Sequence, residues 1–204
     1  MRDALRAGIA IYNDGYVHAA HDAWEPRWLA LDAGTDDERL LHGLIQFTAA
    51  VYHAHERNWA GCTGLAVSAR EYLADLPETY RGVALETPRA FLERLGDDPA
   101  LLERREPPAL THDGECVRLA DLSFAETALA APALADAFGL EETTLERAAH
   151  YARADLAAGD DGSRFITLLF DVVREDDARA LVYQRLESHL ERREAREGDV
   201  EGLF

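Results

Sequence analysis

Five of the eight histidines and all three tryptophans of this 204-residue chain fall between His18 and Trp59. His21 and Glu25 stand four residues apart, so on a helix they face the same way, with Trp24 and Trp28 on that side. Further on, His42, Gln46 and His53 follow at i, i+4 and i+11, again one helical face, and Asn58 comes near the end of that run. Imidazoles and a carboxylate brought together from two facing helices are how metal ions are held inside helical bundles. A divalent metal held here by His21, Glu25 and His53 would lower the pKa of a bound water for hydrolysis, with Glu25 and His21 as candidate catalytic residues. Asp22 or Gln46 could fix the tautomer of a ligating imidazole. The competing reading is structural: a buried His–Glu or His–Gln pair that fixes helix register, with the two tryptophans as core. The set lacks the second histidine of His-Glu-x-x-His. It holds one well-placed carboxylate, and two of its members, Gln46 and Asn58, are amides. His18 and His55 fall toward other faces. Cys62 reads as a small packed thiol.

These residues need helices to position them. Leu5, Ile9 and Tyr12 predict a short amphipathic helix over residues 2–12, stopped by the turn signal Asn13-Asp14-Gly15. A second helix is expected from Tyr16 to Asp32, kinked where Pro26 cannot donate to the carbonyl of Asp22. Thr35-Asp36-Asp37-Glu38 is a capping box for a long third helix, to about Arg57. The short connection at 33–36 makes helices two and three antiparallel neighbours, so their polar faces can meet, with Trp24 and Trp28 buried against helix three. A fourth helix is expected over Gly61–Leu76. After a loop at 77–86, Thr87-Pro88 reads as N-cap and first helical residue, and Asp98-Pro99 starts one more short turn.

Pro107-Pro108 reads as a boundary between a bundle at 1–105 and an acidic, mainly helical extension at 106–204. Asp113-Gly114 could close a small β-hairpin within 109–119. In the extension Ser123 caps a helix broken at Pro132 and ended by Gly139. Thr143-Thr144-Leu145-Glu146 starts another, stopped by Gly159. Ser163 begins a final helical pair with Phe165, Leu168, Leu169, Val172, Leu181, Val182 and Leu186 inward. The charged end from Glu191 to Glu201 is expected to fray.

The fold class is therefore all-α. Composition adds constraints. Thirty-nine acids face 21 bases, every base is arginine, and the formal charge is −18. That charge repels the phosphate backbone, so nucleic acid is not an expected partner. An acid excess without lysine fits a protein working in molar salt, where a Debye length of about 3 Å screens self-repulsion. No apolar run approaches the roughly 20 residues that span a bilayer, and the charged start is unlike a secretory signal. Two cysteines are too few for a disulfide framework and fit a reducing cytoplasm. No dinucleotide fingerprint, P-loop or nucleophile elbow is present.

Tyr12-Asn13-x-Gly15-Tyr16-x-x-x-Ala20-His21-Asp22-x-Trp24-Glu25-x-x-Trp28 resembles the opening motif of the family called domain of unknown function 309, an Asn-x-Gly turn followed by a His-Glu-x-Trp-Glu helix. Gly43-Leu44-Ile45-Gln46, with Tyr52-His53, Asn58 and Gly61, is similar to that family's Gln-Gly-Leu-Ile-Gln helix and its Asn-x-x-Gly continuation. Pro77, Tyr80 and Gly82 suit its next loop, so the resemblance covers residues 5–95. It implies a small helical bundle, polar residues at His21, Asp22, Glu25, Gln46, His53 and Asn58, and the label of predicted metal-dependent hydrolase. Asp22 replaces the usual Glu, His42 stands where Gln is common, and Pro26 follows Glu25. Two function classes follow. One is a non-catalytic binding or scaffold module, without a tightly bound metal, whose partner is a small molecule or protein the sequence does not name. The other is a metal-dependent hydrolase.

Overall fold

Helix α1 (Arg2–Asn13) buries Leu5, Ile9 and Tyr12 on one side, as its apolar spacing predicts, and also buries Ala7, Ala10 and Ile11 on its other faces. It ends at a turn in which Gly15 has φ +91°, a conformation that favours glycine. Helix α2 (Val17–Leu29) follows and runs through Pro26. The Thr35 hydroxyl accepts from the Glu38 N–H and starts α3 (Asp36–His55), whose first turn carries Asp36, Asp37 and Glu38 at the positive end of the helix dipole. Asn58 caps α4 (Trp59–Ala74) through the N–H of Gly61 at 3.1 Å. The buried face of α4 is Cys62, Ala66, Ala69 and Leu73, mostly small residues that let α3 come close. A methyl group added at Gly43 of α3 would meet Leu73 at 2.6 Å.

The computed structural model describes the backbone of residues 1–201 and the side chains of 1–198. Within them the loop after α4 holds a two-strand ladder not anticipated from the sequence, β1 (Thr79–Tyr80) and β2 (Val83–Ala84). Its turn, Arg81-Gly82, has positive φ at both residues, the type I′ signature. Arg81 forks onto Asp37 at 2.7 and 2.8 Å and the Tyr80 hydroxyl adds a third bond at 2.9 Å, tying the ladder to the start of α3. Helix α5 (Glu86–Asp97) begins before Thr87-Pro88, with Leu85 as its N-cap, so proline takes a first-turn position whose N–H needs no helical partner. A 3-10 turn then spans Pro99–Glu103.

The chain divides into two compact units, Met1–Leu122 and Ser123 onward, and Pro107-Pro108 lies inside the first. Segment 106–122 returns to α1. Tyr12 donates to the carbonyl of Pro108 at 2.9 Å. The Asn13 amide donates to the carbonyls of Leu110 and Val117 and accepts from the Leu110 N–H, each at 2.9 Å. The expected hairpin is reduced to one bridged pair, His112 with Glu115, closed by Asp113-Gly114 at φ +52° and +82°; His112 also bridges to Val83.

In the second unit Ser123 and Glu126 form a capping box for α6 (Phe124–Ala133). The short α7 (Ala135–Phe138) ends at left-handed Gly139. Helix α8 (Glu142–Ala157) starts two residues earlier than its expected box, with Glu141 as N-cap. Helices α9 (Arg164–Arg174) and α10 (Arg179–Glu201) bury Phe165, Leu168, Leu169, Val172, Val182, Leu186 and Leu190. Leu181, expected inward, is 51 % exposed. Helix α10 continues to Glu201 where fraying was expected. Both units are helical apart from the short ladder and bridges, an all-α protein.

Candidate functional site

The predicted polar face resolves into three groups. In the first, on α2, His21 Nε2 lies 3.7 Å from Glu25 Oε1 and His18 Nδ1 lies 3.5 Å from Asp22 Oδ2. His18, His21, Asp22 and Glu25 occupy i, i+3, i+4 and i+7, one stripe of the helix. His21, Asp22 and Glu25 each offer a ligand atom within 4.8 Å of the others. The donor set suits an ion bonding nitrogen and oxygen at about 2.0–2.2 Å, around which the three side chains would draw closer together. Beside this stripe a cleft of about 210 Å³ opens between α2 and α3, lined by Val17, His18, His21, Thr48, Tyr52 and His53 among others. His18, expected on another face, therefore lies on this stripe and lines the cleft. The signal was present in the sequence as a second His-x-x-x-acid pair, His18 with Asp22, interleaved with the first.

The second group is closed. His42 Nδ1 meets Glu38 Oε1 at 3.1 Å, and the Gln46 amide meets His42 Nε2 at 2.9 Å. The imidazole lies between Trp28 and Tyr72, ring centroids 4.6 and 3.9 Å away. Trp28 donates its indole N–H to the same Glu38 oxygen at 2.9 Å. Burial pushes the Glu38 carboxyl up, but the bonds from Trp28, Gly34 and His42 outweigh it and hold the group below the usual glutamate range. Glu38 and Tyr72 were not singled out by sequence reasoning. Glu38 was read only as a capping-box acid, and its second role depends on how α2 meets α3. Gln46 keeps one buried oxygen without a partner.

The third group is His53 with Asn58, whose side-chain amide lies 2.9 Å from His53 Nδ1. The two tryptophans differ. Trp24 is fully buried, lodged against Gly8 of α1. Trp28 is partly exposed and serves the Glu38 network. His55 is exposed. Burial raises the Cys62 thiol to about 11, which leaves it unreactive.

Residues 5–65 match the model of a family described as a domain of unknown function, DUF309. Over that segment the chain is similar to DUF309 proteins. The match contains most of α1, all of α2 and α3 and the start of α4, hence all three polar groups except Tyr72. Pro77, Tyr80 and Gly82 lie beyond it. No curated protein matches the chain. No helix among the described residues is long and apolar enough to cross a membrane.

Proposed function

We propose that residues 1–122 form a binding module whose working surface is the cleft between α2 and α3, and that His21, Asp22 and Glu25 hold a divalent metal at its edge. One observation carries this reading. The only group of three or more histidine, cysteine or acidic side chains with converging ligand atoms among the described residues shares His21 with a solvent-reachable cleft that also holds His18 and His53. The sequence alone offered a single well-placed carboxylate; Asp22 supplies a second, which strengthens the metal reading over the metal-free one. The Trp28–Glu38–His42–Gln46 network is the scaffold half of the module, fixing α2 against α3 so that the cleft keeps its shape.

A metal in this place would lower the pKa of a bound water, the chemistry of a metal-dependent hydrolase. The open cleft favours that as the second reading, with Glu25 and His21 nearest the reacting group. We also read the acid excess as adaptation to molar salt in a cytoplasm, with nucleic acid excluded as partner by charge. Elemental analysis and zinc titration of the purified chain test the metal. Near-stoichiometric binding by the wild type, lost in a folded His21→Ala variant, is the expected result. A wild-type protein that neither carries nor takes up zinc, manganese or iron overturns it.

A further inference from the structure

The residue that caps α4 also decides what His53 can do. A backbone N–H can only donate, and that of Gly61 donates to Asn58 Oδ1 at 3.1 Å. This orients the amide, so the group facing His53 Nδ1 at 2.9 Å is the NH2 end. An amide NH2 has no lone pair to offer, so Nδ1 must accept. A neutral imidazole carries one proton, which is then on Nε2. His53 lines the cleft. Its ring closes a row of rings along the cleft wall: His21 to His18 at 6.3 Å, His18 to Tyr52 at 5.4 Å, Tyr52 to His53 at 5.9 Å.

We infer that His53 presents an Nε2–H donor to the α2–α3 cleft, that Asn58 is the positioning residue holding it in that tautomer, and that the cleft recognises an oxyanion. A protonated Nε2 has no lone pair for a metal, so His53 is a ligand-recognition residue rather than a metal ligand. The choice of oxyanion rests on the metal reading above. Asp22 and Glu25 repel an anion when bare, whereas a divalent ion among them cancels their two charges and leaves coordination positions that an oxyanion can fill. A phosphate or carboxylate oxygen then meets a cation at one end of the row and an N–H donor at the other.

The test uses the full chain and two readouts. Nitrogen-15 NMR of the imidazoles, without metal, is expected to show His53 as the Nε2–H tautomer. Asn58→Asp still caps α4, but its second oxygen accepts from Nδ1–H and is expected to move the proton there. Calorimetric titration of the zinc-loaded protein with inorganic phosphate is expected to lose about ten- to a hundredfold in affinity with His53→Ala, the scale of one hydrogen bond to a charged group. His53→Gln, which restores a donor, is expected to recover most of it, and neither substitution should weaken zinc binding. An Nδ1–H tautomer in the wild type overturns the inference. So does phosphate affinity indifferent to His53→Ala, or zinc affinity that falls with His53→Ala as it does with His21→Ala. If the wild type takes no zinc, the metal reading and the oxyanion both fail, while the tautomer is still decided by NMR.

Discussion

Gly8 and Trp24 show how much a single position on α1 constrains α2. The indole fills the space where a side chain on residue 8 would stand, and Trp24 has no exposed surface to retreat into. Gly8→Ala is expected to cost about 1–3 kcal/mol by overpacking, despite alanine's better helix propensity, and a urea melt measures it. His112 is the other residue with large consequences. It is 1 % exposed and neither ring nitrogen completes a hydrogen bond, although Asp113 lies 3.2 Å from Nδ1. Burial lowers its pKa below the ordinary 6.5; Asp113 pulls the other way, and Arg2 and Arg6 reinforce the lowering. The folded state thus resists a proton that the unfolded state accepts, and stability is full above about pH 6.5 and falls as the pH drops below it. His189 is lowered in the same way in the second unit, first by burial and then by Arg192, Arg164 and Arg196. Urea midpoints at pH 7.5 and 5.5 should differ, and His112→Gln should shrink the difference. The lowered Glu38 and Asp37 belong to a separate window, losing their contribution only below the ordinary carboxylate range.

At the scale of elements, α1 is anchored by a residue that sequence reading treated as a turn former. Asn13 is the last residue of α1, and its side chain holds both the N–H and the C=O of Leu110 and the carbonyl of Val117. Asn13→Ala strands three backbone groups at once. A loss of about 2 kcal/mol or more is expected in thermal or urea melts, discounted from the fully buried value because the groups are only part-buried. The Asn58 cap of α4 belongs to the same class, and Asn58→Ala should cost about 0.5–2 kcal/mol. Asn58→Asp should cost less, which separates capping from the choice of tautomer at His53.

For the whole molecule, charge and connectivity matter most. Counted over the two compact units, the charge divides evenly, −9 each (12 Arg with 21 acids, 9 Arg with 18), although a boundary at Glu106 puts −6 before it and −12 after (11 Arg with 17 acids, 10 Arg with 22). Each unit therefore carries its own self-repulsion, and the melting temperature should rise from dilute buffer to molar KCl. A curve that does not move between the two removes the case for adaptation to salt. Segment 106–122 also contributes buried Leu110 and Val117 to the first unit. A chain ending at residue 122 should melt cooperatively, while one ending at 105 should melt several degrees lower or not fold.

What the sequence determined by itself was local. Thr35 and Ser123 as caps, Gly139 as a left-handed stop and the apolar stripe of α9 are written within a few residues of where they act, because capping and amphipathicity are set by neighbours in the chain. The His21–Glu25 pair was legible for the same reason. Only the tertiary structure decided which polar residues meet. His42 shares a face with His53 along α3, yet Trp28, Glu38 and Tyr72 enclose it while His53 turns to Asn58 and the cleft. The docking of α2 and α4 on α3 chose between them, and no spacing within one helix encodes that. Asn13 and Leu110 are 97 residues apart, and the buried place of His112 depends on Gly82 and Val83 meeting it from the β1–β2 hairpin about 30 residues away. Such contacts form only when the chain closes on itself, because the free energy that holds them comes from burying surfaces that are far apart in the sequence.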